Sequence, residues 1–115
     1  MKHLSSLYRL FGDEARLRLL RLLAAERLNV TELTDILRIA QSGVSRHLGL
    51  LKEAGLVTES RDGGFVYYRR SSDLETDDRL APLWSVLRTQ FADVAHTPVA
   101  CADDAQLREV LRIRR

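Results

Sequence analysis

The chain has 115 residues, 30% charged and 45% hydrophobic, with 18 Lys+Arg against 16 Asp+Glu. That is the size of one domain with a core of its own, and arginines break its apolar runs, as at Leu19-Leu20-Arg21-Leu22-Leu23, so neither a membrane span nor a secretory leader is expected. The single cysteine, Cys101, excludes an internal disulfide framework and a multi-cysteine metal site within one chain, which fits a reduced, cytoplasmic protein.

The first helix is expected over His3 to Phe11, where Leu4, Leu7, Tyr8 and Phe11 recur at helical spacing. Gly12 stops it, and Asp13 is placed to cap a second helix over Glu14 to Ala25. The leucines of that helix, with Leu17 and Leu20 outside the Leu19, Leu22 and Leu23 stripe, predict burial on more than one side. Asn29-Val30-Thr31-Glu32 has the outline of a capping box and opens a short helix over Val30 to Leu37. A turn at Arg38-Ile39-Ala40 leads into a helix over Gln41 to Ala54, with Val44, Leu48 and Leu51 buried and Gly55 as its left-handed cap. Leu56 to Ser60 and Phe65 to Arg70 read as strands of a hairpin around Arg61-Asp62-Gly63-Gly64. Ser71 to Asp78 is a polar loop. Arg79 to Val94 is helical, with Pro82 in its first turn. His96 to Ala102 reads as a linker, and Asp103 to Arg115 as a last helical segment.

The fold class is therefore mainly α with a small β-hairpin, a winged helix-turn-helix in the order α-α-α-α-β-β-α-α. Residues 1–94 form the domain, and 95–115 a linker and C-terminal helical segment. Charge divides along the chain in the same sense. Residues 1–70 carry 12 basic against 8 acidic side chains, and residues 71–115 carry 6 against 8, so an anionic partner belongs to the front part.

A helix that reads duplex DNA brings its N-terminal turn to the major-groove floor. Ser42, Gly43 and Ser45 are small enough for close approach, Gln41 can pair with adenine, and Arg46 can pair with guanine or phosphate. Arg61 sits at the hairpin tip. Tyr67 and Tyr68 alternate faces of a strand, so one belongs to the core and the other to the DNA side. His47 borders the core face, as a packed, capping or phosphate-contacting side chain. The DNA-contacting set is thus Gln41, Ser42, Gly43, Ser45, Arg46, His47, Arg61 and Tyr67. The first helix and the one after the hairpin offer more apolar surface than a small core needs, so a homodimer is expected through Leu4, Leu7, Tyr8, Leu83, Trp84, Leu87 and Phe91, with Trp84 either there or in the domain core. No catalytic motif, glycine-rich phosphate loop or cofactor signature is present.

The stretch from Gln41 to Val57 resembles the recognition helix of the ArsR-type family of bacterial transcriptional repressors. Gly12 to Leu20 resembles that family's second helix, with Glu14-Ala15 where Pro-Thr is usual, and Arg61 to Tyr68 its wing. The resemblance implies a repressor that binds an inverted-repeat operator as a homodimer. It also implies where metal would bind, and there this chain departs. Asn29 and Thr31 stand where many relatives carry Cys-x-Cys; Asp77, Arg79, Gln90 and Asp93 stand at a second site that lacks both histidines. The expectation is no metal, no cofactor and release by a non-metal signal. Two alternatives remain open. The Asn29 to Leu33 and Leu107 to Arg112 stretches look similar to a subgroup whose DNA-binding domain precedes a methyltransferase domain, which would make this chain the DNA-binding or protein-interaction module of a larger regulator, and Cys101 is a candidate redox sensor.

Overall fold

The computed structural model describes residues 1–114. Its elements are α1 (Lys2–Leu10), α2 (Glu14–Ala25), β1 (Leu28–Asn29), α3 (Val30–Leu37), α4 (Gln41–Glu53), β2 (Val57–Asp62), β3 (Phe65–Arg70), α5 (Ala81–Val94) and α6 (Pro98–Ile113). The capping signals act where expected. Asp13 Oδ1 accepts the Arg16 amide at 3.1 Å to open α2. Asn29 and Glu32 exchange reciprocal bonds of 2.8 and 3.0 Å to open α3.

Two elements differ from expectation. The hairpin is wider than a two-stranded ribbon, because β1 adds to the far side of β3 and pairs Leu28 with Tyr68 and Asn29 with Tyr67. Two residues are too few for a period-2 pattern, so only the pairing partner reveals them. The expected linker over His96 to Ala102 is mostly helix. Pro98 occupies the first helical position after Thr97, where its missing N–H costs nothing, so α6 starts five residues before the expected Asp103. Arg115, the last residue of that expectation, lies outside the described residues.

The core surrounds α2. Leu19, Leu20, Leu22 and Leu23 are all buried, because α3, α4, β3 and α6 each pack against the helix. Each fully buried leucine contributes about 1.5–3 kcal/mol relative to exposure. The second covered side of α2 is thus met within the chain by α6. The loop after the wing contributes Leu74, fully buried although its neighbours are polar. Gly55 follows α4 with φ +83°, a left-handed conformation that glycine adopts without strain. Among the described residues no helix is long and apolar enough to cross a membrane.

Candidate nucleic-acid interface

Helix α4 differs from α2 and α3 at its start. Its N-cap is Ala40, with no side-chain cap, and the first helical bond runs from the Val44 amide to the Ala40 carbonyl at 3.1 Å. The amides of Gln41, Ser42 and Gly43 therefore have no intrahelical acceptor and stand at the positive end of the helix dipole. Around them Gln41, Ser42, Ser45 and Arg46 are exposed. On the opposite face Val44, Leu48 and Leu51 are buried and hold the helix rigidly. A Cβ built on Gly43 or Gly49 would meet nothing within 4 Å. Glycine in a helix interior costs about 1 kcal/mol relative to alanine, and no contact within the chain calls for it at either position. The small side is turned outward, as a surface that approaches DNA closely requires.

Two of the expected contact residues have partners inside the chain. His47 is buried, with Nδ1 3.2 Å from Arg16 Nη1. The guanidinium can only donate, so Nδ1 accepts and the neutral ring carries its proton on Nε2. Burial lowers the His47 pKa below 6.5; Asp13 opposes this, while Arg46 and Arg16 add to it. Arg16 also donates to the Leu10 carbonyl at 2.8 Å, so the contact ties α1, α2 and α4 together. Tyr67 is half-buried, with the guanidinium of Arg27 4.3 Å and that of Arg114 5.1 Å from its ring centroid. Its ring is a platform for those arginines. Helical or strand periodicity gives the direction of a side chain but not what occupies that direction.

The wing is a two-residue hairpin. Gly63 and Gly64, at φ 60° and 86°, make the left-handed turn that suits the strand twist. Arg61 lies on β2 opposite Val66 rather than in the turn, and it is exposed. Phe65, at the tip, is 55% exposed, which makes it an apolar contact candidate beside Arg61. Arg27 and Asp62 form an ion pair of 2.8 Å at the base of the tip. Lys52 and Glu59 pair at 2.7 Å, fastening α4 to β2.

Arg38, which sequence reasoning passed over, caps α3 in the left-handed region at φ 57°. A non-glycine residue there is uncommon. Its exposed guanidinium, three residues before Gln41, has no hydrogen-bond or ion-pair partner among the described residues, and the same holds for Arg46, Arg61 and Arg69. The positive φ of Arg38 is visible only in the folded chain, although its place in the turn before α4 was a usable signal.

The expected dimer residues divide. Leu7, Trp84 and Leu87 are buried within the chain and belong to its core. Leu4 and Tyr8 are 49% and 57% exposed, and Leu83 and Phe91 are half-buried. At the two positions where the resemblance would put Cys-x-Cys, Asn29 is engaged as a helix cap and Thr31 is exposed. Among the described residues no three His, Cys, Asp or Glu side chains converge as a metal set. Cys101 is exposed on the first turn of α6.

Residues 13–59 match the family described as bacterial regulatory protein, arsR family. The uncharacterized HTH-type transcriptional regulator MJ1325 of Methanocaldococcus jannaschii is 35% identical over 65 residues, which cover 56% of this chain and 73% of that protein. The chain belongs to the arsR family. Within it, the arsenic resistance transcriptional regulator ArsR1 of Pseudomonas putida is 43% identical over 63 residues, 54% of this chain and 49% of that regulator. The match thus spans about half the length of ArsR1. The crystal structure of Rv0081 from M. tuberculosis superposes with a TM-score of 0.64 at 30% identity, covering 86% of this chain and 95% of that one. In this arsR-family chain the matched segment runs from the Asp13 cap through α4 into β2. It contains the uncapped helix start, but not the wing tip, α5 or α6.

Proposed function

We propose that this protein is a sequence-specific, duplex-DNA-binding transcription regulator that acts as a repressor. The observation that carries the reading is the start of α4, with three amides lacking intrahelical acceptors among the exposed Gln41, Ser42, Ser45 and Arg46. Free amides and hydroxyls take phosphate oxygens, while Gln41 offers adenine one donor and one acceptor and Arg46 offers guanine two donors. Arg38 and Arg61 contribute sequence-independent phosphate contacts on either side, and Phe65 an apolar contact at the wing tip. The regulator works as a homodimer on an inverted repeat, with Leu4 and Tyr8 among the apolar groups that a second copy covers. Its release signal is not a soft metal, since Asn29 is spent on capping α3 and a single thiol per chain offers no closed thiolate site.

The test is a titration of the purified protein with its own promoter and with random duplex at moderate salt. Preference for the promoter by at least about a thousandfold fits specific binding; equal affinity for both overturns the reading. Zinc, cadmium and arsenite added to the promoter complex are expected to leave it intact, and stoichiometric release by any of them would overturn the non-metal signal.

A further inference from the structure

An open cleft of about 580 Å3 runs along the second half of α5, between α2 and α6. Leu17, Leu87, Phe91, Val94 and Val99 give it an apolar lining. Its volume lies within the range of small-molecule sites. Its lining holds three carboxylates, Glu14, Asp93 and Asp103, against two guanidinium groups. Arg18 and Arg21 are in the lining too, and each is held by a two-pronged bridge, Arg18 to Asp103 at 2.7 and 2.9 Å and Arg21 to Asp104 at 2.8 and 2.9 Å. Glu14 and Asp93, also in the lining, have neither a hydrogen bond nor an ion pair among the described side chains. Asp93 lies in the last turn of α5, where the negative end of the helix dipole disfavours a carboxylate. The cleft thus carries a local negative excess in a chain of net charge +2.

From this arrangement we propose that the cleft binds an aromatic organic cation. An apolar body covers the leucines and valines, and the positive charge faces Glu14, Asp93 and the ring of Phe91. A small, strongly hydrated cation gains nothing from the apolar lining, and an organic anion is repelled by the two carboxylates. No residue of α4, β2 or β3 lines the cleft, so its occupant leaves the proposed DNA-contacting face open. The cleft reaches that face through α2, which packs against both α4 and α6. Any role of that occupant in releasing DNA rests on the regulator reading above, whereas the binding itself does not.

Tetraphenylphosphonium and tetraphenylborate test the proposal, being nearly the same shape and opposite in charge. Trp84, the only tryptophan, reports occupancy by fluorescence, because its ring meets that of Phe91 edge-on at a centroid distance of 6.4 Å. The full chain is expected to bind one phosphonium saturably and at least about tenfold more tightly than the borate, with the difference shrinking as salt rises. Asp93→Asn and Glu14→Gln, both at exposed positions, should each weaken phosphonium binding about two- to fivefold. Equal or tighter binding of the borate, or unchanged affinity in both variants, would overturn the proposal. Phosphonium affinity that falls as protein concentration rises through the dimerisation range would place a second copy in the cleft and overturn it too. Promoter affinity is measured separately on probe-free protein, so failure of the regulator reading is told apart from failure of the cleft.

Discussion

The arginines around α4 and the wing carry the same charge as those behind α2, yet the two groups are used in opposite ways. Arg38, Arg46, Arg61 and Arg69 are exposed and have no partner among the described residues. Arg18, Arg21 and Arg114 are each locked into a two-pronged bridge with a carboxylate, at 2.6 to 2.9 Å. A count of basic residues therefore overstates what is on offer to an anion. The charge available to DNA is what remains after internal pairing. Arg18, Arg21 and Arg114 fix α6 against α2 and α3, whereas Arg38, Arg46, Arg61 and Arg69 stay free at some cost in mutual repulsion, with Arg27, paired to Asp62, the exception at the wing.

The comparison breaks most visibly at Asp103, which is 3% exposed. Asp103→Ala leaves the Arg18 guanidinium without its partner and is expected to cost about 2–4 kcal/mol; Arg18 keeps 23% of its side-chain surface, which favours the lower end. Urea unfolding checks this, and a loss below about 1 kcal/mol would show that the bridge holds little. Replacing the pair together, Arg18→Met with Asp103→Leu, should recover most of the loss.

At the front the effect moves from stability to binding. Arg46→Ala is expected to lose about 1–3 kcal/mol of promoter affinity while unfolding shifts by less than about 0.5 kcal/mol. Arg61→Ala should weaken promoter and random duplex alike and lower the log–log salt slope by about 1, as measured by titration at several salt concentrations.

Arg114 gives a pH-dependent version of the comparison. Burial raises the Glu32 carboxyl pKa, but the Arg114 bridge and the Asn29 amide outweigh it and hold the pKa below its ordinary 4.5. A carboxylate depressed in the folded state stabilises above its unfolded pKa and loses that contribution as pH falls through the folded one. Arg114→Ala should therefore cost about 1 kcal/mol at neutral pH, with the difference from wild type shrinking below about pH 4.5. The smallest effect is expected at His47, whose pKa burial lowers. Here the unfolded chain takes up the proton first, so stability is full above about pH 6.5 and declines below it. His47→Gln should flatten that decline in unfolding curves between pH 5 and 7.

Much of the helical frame was legible because its signals are local. Asp13 and the Asn29–Glu32 box mark the starts of α2 and α3, and Gly63-Gly64 marks the wing turn. The exposed side of α4 followed from helical period, and Gln41, Ser42, Ser45 and Arg46 lie where that period places them. The partners of His47 and Tyr67 did not, because Arg16, Arg27 and Arg114 come from other elements. Leu74 was hidden in a polar loop, and the start of α6 behind a proline.

The sequence by itself determined where the helices start, where the hairpin turns and which face of α4 is polar. Caps, glycines and helical period act over three or four neighbouring residues, and their physics is complete within a short peptide. Only the tertiary structure decided which charges are spoken for. The carboxylates that hold Arg18, Arg21 and Arg114 lie 85, 83 and 82 residues away along the chain, and nothing local to either partner announces the other. The same distant packing buried Trp84 and Leu87 in the core and formed the open cleft between α2, α5 and α6.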